Sequence, residues 1–517
     1  MSLIKAPIKK IKIHKNRLLN YRRGWNALTW VRGFPERILL QSADDYVDSK
    51  VEKKYISRMA AIFTQCHDEK LNILTFICSI ILLLAVLIST CVAENLFVRN
   101  GAKGKNNGLD WDNAWSSFSR IVWGDGPGRL GPGDILWIGG GEYTDPLIIK
   151  GNGIKGSPIT IKRANARNSE CTSASGWDDS IDSQVVIHTN ATGIYVDDHR
   201  DWIVIDGQVS DGIKVIIPHC NGCDGIDWSY SCSHWEIRNI EFAGPNSGPN
   251  SYQFQFSVRG LDLSPPTSSG VSKDIIISKC KIHGIVDGIF LNQVNDSVIE
   301  YNKIYNINSS NPDIHCNVLY VSGSCNDITF RYNNVWNYSP EGLFFSTDTT
   351  KSNWKVYGNL FHDGPLSSTA RVLEVRQGSV TNLQFYNNTL AHLWAGLRVM
   401  DGATLTGDMK NNIMYDVKWT SFGDMTHDYN FSNSDLFSSE PHGISNGENP
   451  FLNQEERDYH ILVKAGTRQP KDRGVTLGPE FCIDMDSKIR GKDGFWDIGA
   501  FEAGMPPSAP HLNILSP

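Results

Sequence analysis

Charged residues and cysteines are both scarce in this sequence. Only 20% of the 517 residues are charged and only 11 are cysteines, whereas 40% are hydrophobic. A disordered chain has a high charge density and few apolar residues, and a small disulfide-stapled domain has frequent cysteines. Both classes are therefore excluded, and the apolar content is sufficient for a large buried core.

A basic surface is also missing from most of the chain. The formal net charge is −7, and residues 1–70 hold 15 of the 49 Lys and Arg but only 7 of the 56 Asp and Glu. The remainder carries 34 basic and 49 acidic side chains, a net charge of −15. Phosphate binding needs a basic face, so nucleic acid is not the expected partner. An acidic body is compatible with an extracellular surface or with a hard cation such as calcium.

One long uncharged hydrophobic segment, 71–93, interrupts the N-terminal part of the chain. It includes the apolar run 80–88 and is long enough to cross a bilayer as a helix, at roughly 20 residues per span. The basic segment 1–70 precedes it and the acidic body follows it. The positive-inside rule therefore predicts that residues 94–517 are exported.

Two interpretations of this hydrophobic segment are open. In the first, Met59 is the true start and residues 91–93 (Cys-Val-Ala) form the cleavage site of a signal peptide. In the second, the whole chain is made and the segment stays in the membrane as an anchor. A lipoprotein box ending at Cys91 is a weaker third alternative, because Thr90 fits poorly before the cysteine.

Eight cysteines lie in the predicted exported part, an even number that permits disulfides in an oxidising compartment. Cys316 and Cys325 bracket a predicted strand and make one candidate pair. A second group contains His219 and His234 near three cysteines, which are the ingredients of a zinc site, although loop disulfides are favoured outside the cell. The disulfide candidates are Cys220, Cys223, Cys232, Cys316 and Cys325.

A short unit repeats from about residue 200 onward: a β-rich run, then Asn or a small residue, a polar or small residue, and an aliphatic residue. The aliphatic positions are 42, 22, 31, 25, 30 and 23 residues apart. Such a period, with short apolar runs and no helical stretch, predicts a solenoid in which the recurring Asn residues stack into an amide ladder. The units are Arg238-Asn239-Ile240, Cys280-Lys281-Ile282, Asn302-Lys303-Ile304, Asn333-Asn334-Val335, Gly358-Asn359-Leu360, Asn388-Thr389-Leu390 and Asn411-Asn412-Ile413.

Over roughly residues 96–420 these units, with the segment 201–207 (Asp-Trp-Ile-Val-Ile-Asp-Gly), resemble the right-handed parallel β-helix proteins of the pectin-lyase-like superfamily. The resemblance implies an all-β fold, a right-handed single-stranded parallel β-helix with three strands per coil, which we predict over 94–420. Residues 458–462 and 496–502 resemble a C-terminal choice-of-anchor module. We predict that module over 421–503, followed by a tail, 504–517.

The resemblance also implies that one sheet and its flanking loops form a groove for polysaccharide. We assign to this sheet the runs 288–293, 319–322, 343–348, 372–377 and 397–401. Alternation along these runs predicts one row of side chains that faces outward. The row contains Phe344, Ser346, Glu374, Arg376, Arg398 and Met400.

The types of residue along this row suit an acidic sugar polymer. Arginine pairs with uronate carboxylates, and a base must remove the proton from the sugar C5 carbon. The resembling lyases assign the base to Arg or Lys, whereas a histidine is better suited by its pKa. The catalytic candidates are Glu374, Arg376, Arg398, His315 and His392. The substrate-binding candidates are Phe344, Ser346, Glu341, Trp394 and Asn292, and the candidate calcium ligands are Asp348 and Glu374.

Three functions remain open at this point. Lyase-type β-elimination of an extracellular acidic polysaccharide is favoured over glycoside hydrolysis, which needs two carboxylates such as Glu341 and Asp348. The Gly-His-Gly element of polygalacturonases does not occur in the sequence. The third possibility is a non-catalytic surface protein that binds glycans or mediates adhesion. We expect a monomer with a polysaccharide partner, attached to the membrane through 71–93 if that segment is not cleaved.

Overall fold

The computed structural model describes residues 93–504, apart from 246–257, 310–313, 365–368 and 465. The basic segment 1–70, almost all of the hydrophobic segment 71–93 and nearly all of the tail 504–517 lie outside the described residues. Within the described ranges, no helix has the length and apolar character needed to span a membrane.

The described chain consists almost entirely of short strands. The first group is β1 (Asn95–Val98), β2 (Ile135–Ile138), β3 (Gly141–Tyr143), β4 (Leu147–Ile149), β5 (Ile159–Arg163), β6 (Val185–His188), β7 (Ile194–Val196), β8 (Ile203–Asp206), β9 (Ile213–Ile216), β10 (Ile226–Trp228), β11 (Trp235–Arg238) and β12 (Ile240–Ala243). The second is β13 (Arg259–Leu263), β14 (Ser272–Lys273), β15 (Ile275–Ser278), β16 (Lys281–Ile285), β17 (Asp287–Asn292), β18 (Val294–Asn295), β19 (Ser297–Glu300), β20 (Lys303–Ile307), β21 (Asn317–Ser322), β22 (Ile328–Arg331), β23 (Asn334–Tyr338) and β24 (Glu341–Phe345). The third is β25 (Thr350–Ser352), β26 (Lys355–Tyr357), β27 (Leu360–His362), β28 (Arg371–Val375), β29 (Ser379–Tyr386), β30 (Thr389–Val399), β31 (Thr404–Lys410), β32 (Ile413–Trp419), β33 (Asp424–Asp428), β34 (Phe431–Ser432), β35 (Phe451–Asn453) and β36 (Asp458–Ile461).

Helical structure in the described chain is limited to single turns. The α-helix α1 covers Ser169–Thr172. The 3₁₀ turns are Phe118–Arg120, Asp179–Ile181, Thr267–Ser269, Gln454–Glu456 and Pro479–Phe481.

The strands stack into three long parallel sheets, and the chain visits each sheet once per coil. Sheet 1 has the order β1-β2-β5-β8-β11-β15-β19-β22-β26-β29-β31-β33. Sheet 2 has the order β3-β6-β9-β12-β16-β20-β23-β27-β30-β32-β34. Sheet 3 has the order β4-β7-β10-β13-β17-β21-β24-β28-β30. The fold is therefore the predicted all-β, right-handed parallel β-helix with three strands per coil.

The core consists of the inward side chains of the three sheets, stacked in register. In sheet 3, Leu319 lies opposite Leu343, which lies opposite Leu373 and then Leu397. All four side chains are fully buried. Such columns form because each strand alternates its side chains between two faces while neighbouring strands lie only about 4.8 Å apart.

The predicted asparagine ladder is present inside the turn between sheets 1 and 2. The backbone N–H and the side-chain amide of Asn333 both donate to Oδ1 of Asn359, at 2.9 and 3.1 Å. Asn359 donates in the same way to Asn388, at 3.0 Å for both bonds. The ladder satisfies amides that would otherwise be buried without partners. Its members are Asn302, Asn333, Asn359, Asn388, Asn412 and Asn430.

Three of the seven repeating units are out of register with the strands. In the first, Phe242 and not Ile240 pairs with Ile282, and two others are displaced by one residue. Leu360 and Ile413 lie opposite Thr389, in a column that faces outward from sheet 2. They are buried because the chain after β34 covers this face. The covering residues include Ile444, Phe451, Tyr459, Ile461, Ile498, Ala500 and Phe501.

The C-terminal end of the helix also differs in detail from the sequence-based prediction. The first stacked strand is β1, which pairs with β2. The stack continues through β33 and β34, beyond the predicted boundary at residue 420.

Candidate functional site

Sheet 3 carries two outward rows because its strands from β10 to β28 repeat one pattern: a polar residue, Gly or Val, an aliphatic residue, an outward residue, and an apolar residue. The register of the strands brings equivalent positions together. The fourth positions and their successor on β30 form what we name the outer row: Asp227, Asp262, Phe290, Tyr320, Phe344, Glu374 and Arg398. The first positions form the corner row: Asp224, Arg259, Asp287, Asn317, Glu341 and Arg371.

One end of the outer row is built around Glu374. Its Oε2 lies 2.7 Å from Nε of Arg371 and 3.2 Å from Nη1 of Arg398, and its Oε1 lies 3.4 Å from Nη1 of Arg376. The Glu374 side chain is fully buried, whereas the side chains of Arg376 and Arg398 are 43% and 31% exposed. We name Arg371, Glu374, Arg376 and Arg398 the arginine cluster. In this cluster the guanidinium groups of Arg376 and Arg398 are partly exposed to solvent, and the buried carboxylate of Glu374 holds them in place.

This geometry changes the role predicted for Glu374. The residue faces away from the core, as alternation predicts, but Arg376 and Arg398 each donate a hydrogen bond to its carboxylate, and Arg371 lies against it. In this structure its carboxylate is paired with arginines and is closed to solvent. The other predicted ligand, Asp348, is exposed in the loop after β24. Within the described residues, no group of three or more His, Cys, Asp or Glu side chains is arranged to hold a metal ion.

Glu341 lies next to the arginine cluster in the corner row. Its Oε1 accepts a hydrogen bond from Nη2 of Arg371 at 3.1 Å and lies 3.7 Å from Nδ1 of His315. The carboxyl group is fully buried. Burial raises the pKa of Glu341 to about 8, in spite of the opposing effect of Arg371. His315 itself is half-exposed and stands over the edge of this site.

An aromatic strip occupies the middle of the outer row. Phe290 stacks on Tyr320 with ring centroids 4.5 Å apart, and Tyr320 lies 5.3 Å from Phe344. The guanidinium of Arg259 covers the ring of Phe290 at 4.4 Å, and the ring of His315 lies 6.1 Å from Phe344. The faces of these rings are largely covered by the neighbouring rings and by Arg259. The strip therefore exposes mainly the edges of its rings.

The other end of the outer row is acidic, and the sequence analysis missed it. Asp227 lies opposite Asp262 on the adjacent strand, and Arg259 forms an ion pair with Asp262. Burial, followed by the charge of Asp262, raises the pKa of Asp227 to about 6 and that of Asp224 to about 7. The signal was available: Asp224-Gly-Ile-Asp227 and Arg259-Gly-Leu-Asp262 follow the same pattern as Glu341-Gly-Leu-Phe344.

Among the described residues, the remaining predicted site residues form no hydrogen bond or ion pair with the arginine cluster, although Trp394 adjoins Ala395, which is paired with Arg371. His392 contacts Asp416 at 3.1 Å and lies beside Tyr459, on the side that the C-terminal segment covers. Trp394 is exposed on β30. Asn292 donates to the carbonyl of Pro265 at 2.9 Å.

Ser346 lies at the end of β24, directly beyond the groove strand. Its carbonyl accepts a hydrogen bond from the buried ammonium of Lys351 at 2.5 Å. Lys351 is also held by the carbonyl of Thr347 at 3.0 Å. These bonds fix the loop that carries Asp348.

The cysteines form one disulfide among the described residues, between Cys220 and Cys223. Cys232, Cys316 and Cys325 are buried free thiols. The predicted pair of Cys316 and Cys325 does not form, because the six residues of β21 that separate them are extended over about 20 Å. Burial raises the pKa of Cys232 to about 12, which makes its thiol a poor nucleophile.

The fold is a parallel β-helix, and sheet 3 carries the outer row and the corner row described above. No family model and no curated protein matches the sequence. The solved structures that are similar in fold include pectate lyase Pel9A, which is 16% identical over 80% of this chain and 97% of that chain, with a TM-score of 0.44. An alginate lyase from Paenibacillus sp. str. FPU-7 is 13% identical over 63% of this chain and 99% of that chain, with a TM-score of 0.32. A GH136 lacto-N-biosidase from Eubacterium ramulus is 12% identical over 77% of this chain and 73% of that chain, with a TM-score of 0.37.

Proposed function

We propose that this protein binds an acidic polysaccharide along sheet 3 and cleaves it by β-elimination. The observation that carries the proposal is the arginine cluster, in which buried Glu374 holds the half-exposed guanidinium groups of Arg376 and Arg398. Guanidinium forks pair with carboxylates in a fixed geometry, and their orientation here is set before any ligand arrives. A uronate carboxylate is the group that best fits this end of the groove.

The same end supplies the groups that elimination requires. Arg376 and Arg398 neutralise the uronate carboxylate, which makes the neighbouring C5 proton more acidic. His315 supplies the base: its imidazole is half-exposed and lies 3.7 Å from Glu341, which is hydrogen-bonded to Arg371 of the cluster. Loss of the C5 proton leaves an electron pair that forms the C4–C5 double bond. The C5 proton passes to His315, the C4–O glycosidic bond breaks, and the leaving sugar oxygen takes up a proton from water.

The test uses purified full-length protein with polygalacturonate and with alginate, each with and without added calcium. The absorbance of newly formed unsaturated ends reports elimination. We expect activity that falls by about 100-fold or more in Arg376→Ala, Arg398→Ala and His315→Gln, since each loses charge stabilisation or the base. Arg167→Ala, which removes an exposed arginine in the loop after β5, is the matched control and should retain activity.

A second candidate reaction is hydrolysis at the acidic end of the outer row. Asp227 and Asp262 lie on adjacent strands about 4.8 Å apart, close to the separation of about 5 Å between the carboxylates of retaining glycosidases. The raised pKa of Asp227 suits a general acid. New reducing ends without unsaturated ends, abolished by Asp227→Asn, would establish hydrolysis instead. Polymer binding with neither product would leave a non-catalytic glycan-binding protein.

We also propose that the β-helix acts outside the cytoplasm. The uncharged segment 71–93 with its basic flank supports this, as does the disulfide between Cys220 and Cys223. A protease added to intact cells should digest an exported β-helix, and full protection in sealed cells would contradict the proposal.

A further inference from the structure

Two buried oxygen atoms on neighbouring strands of the corner row have no hydrogen-bond donor among the described residues. They are Oδ1 of Asn317 and Oε2 of Glu341. Asn317 and Glu341 are directly paired in the register of β21 and β24, and both side chains are almost completely inaccessible to solvent. An unpaired acceptor in such a position is costly, and two of them on facing residues point to a missing donor between them.

The other polar atoms of these two side chains are already committed. The Asn317 amide nitrogen donates to Oδ1 of Asp287 at 2.7 Å. Rotating the amide by 180° would place its oxygen against that carboxylate, so Asp287 fixes the orientation of Asn317. Oε1 of Glu341 accepts from Arg371 at 3.1 Å. A proton on Oε2 of Glu341 would supply a donor for the unpaired Oδ1 of Asn317 at the paired position of the adjacent strand.

We propose that Glu341 is a neutral carboxylic acid in the folded protein, donates a hydrogen bond from Oε2 to Asn317, and thereby sets the positive charge of the arginine cluster. With Glu341 neutral, the three guanidinium groups of the cluster are balanced by Glu374 alone. Glu341 is thus a positioning residue, which holds Arg371 without neutralising it. The consequence for polysaccharide affinity rests on the proposed function; the protonation of Glu341 does not.

The charged groups that face Glu341 come from several elements and act in opposite directions. Arg371, Arg376 and Arg398 favour its ionised form, whereas Glu374 disfavours it. Two further titratable neighbours, His315 and the buried thiol of Cys316, approach from the loop before β21. Burial is the largest influence and raises the pKa of Glu341 to about 8.

The stability of Glu341→Gln compared with the wild type tests the protonation directly. Glutamine has the shape of the neutral acid and can donate to Asn317. An unfolded Glu341 ionises near its ordinary pKa of 4.5, but the folded residue keeps its proton to about 8. The folded state therefore binds more protons over this interval, and wild-type stability falls as the pH rises through it. We expect the denaturant midpoint of Glu341→Gln to equal that of the wild type near pH 4.5 and to exceed it increasingly up to about pH 8.

A Glu341→Gln variant that is less stable than the wild type across the whole interval would overturn the proposal. That result is expected if Glu341 is ionised and paired with Arg371. Infrared difference spectra supply a second readout at neutral pH. The wild type should show the carbonyl stretch of protonated carboxyl groups, and this band should be weaker in Glu341→Gln by the contribution of one carboxyl group, because Asp224 also keeps part of its proton at this pH. Glu300→Gln removes a carboxylate that is paired with Arg331 on sheet 1, and this control should keep the band.

Binding to polygalacturonate and alginate, followed by calorimetry, tests the functional consequence. We expect wild-type affinity to fall several-fold between pH 6 and pH 9, and the affinity of Glu341→Gln to stay nearly constant. Binding with the same pH dependence in both proteins would overturn the link between Glu341 and the cluster. Absence of binding to either polymer would count against the proposed function alone, because the midpoints and the infrared band still decide the state of Glu341.

Discussion

At the scale of single residues, the direction in which a side chain points and its exposure are separate properties on this sheet. Glu374 faces away from the core, yet it is fully buried by the three arginines around it. A buried carboxylate of this kind has lost its hydration and depends on its ionic partners. Its main role is therefore to hold the arginines in position.

We expect Glu374→Gln to lower the free energy of unfolding by about 3–5 kcal/mol, because it leaves the partly buried guanidinium groups without their counter-charge. Denaturant unfolding followed by circular dichroism measures the loss. The exposed carboxylate of Glu480, paired with Lys355, provides the control, and Glu480→Gln should change stability by less than about 1 kcal/mol. Unchanged stability of Glu374→Gln would show that the carboxylate is solvated instead.

From the sequence, the direction in which these side chains point could be predicted, but the residues that they contact on other strands could not. Alternation within one strand places Glu374 and Arg398 outward. The contact of Arg371 with Glu341 depends on which residues of two strands are paired, 30 positions apart along the chain. The intervening loops vary in length, so the register could be found only by aligning the repeated pattern from strand to strand. The same step would have revealed Asp227 and Asp262.

At the scale of elements, the asparagine ladder joins consecutive coils through buried side-chain bonds. Asn359 illustrates the demand on each member: its oxygen accepts two bonds from Asn333, and its nitrogen donates to Asn388 and to the carbonyl of Phe330. No other residue type combines these donors and acceptors in so short a side chain. This is why Asn recurs in the sequence, and why the ladder could be predicted from it.

We expect Asn359→Ala to destabilise the protein by about 3 kcal/mol, because it orphans the backbone N–H of Asn333 and the carbonyl of Phe330 in a dry interior. Chemical denaturation measures the effect. Asn100→Ala, which removes an exposed bond to the carbonyl of Glu142, should cost less than about 0.5 kcal/mol. Equal effects of the two substitutions would mean that water enters the turn and replaces the lost bonds.

At the scale of the whole β-helix unit, the chain after β34 explains where the repeat departs from its expected register. The outward column of sheet 2 is polar in earlier coils, with Lys303 and Asn334, and becomes apolar at Leu360, Ile413 and Phe431. Those three side chains pack against the C-terminal segment. This contact could not be predicted from the repeat. An aliphatic residue fits the repeating unit whether it points into the core or, one position earlier on the strand, points outward.

Removing residues 433–517 should therefore expose a row of large apolar side chains and lower stability by about 5 kcal/mol or more. Thermal unfolding and light scattering measure the loss and the resulting aggregation. A truncated chain with Leu360→Asn and Ile413→Thr, which restores the polar residues of neighbouring coils, should recover solubility. A truncated chain that stays soluble without these replacements would show that the C-terminal segment is dispensable.

The asparagine ladder also has a direction. Every step donates towards the following coil, from Asn302 to Asn430, so the small amide dipoles add instead of cancelling. The last donors meet Glu440, which accepts from the backbone N–H and the side chain of Asn430 at 3.0 and 2.8 Å. Both oxygens of Glu440 act as acceptors here, so the side chain of Glu440 occupies the place of a further asparagine. The sequence of identical steps therefore ends at this carboxylate.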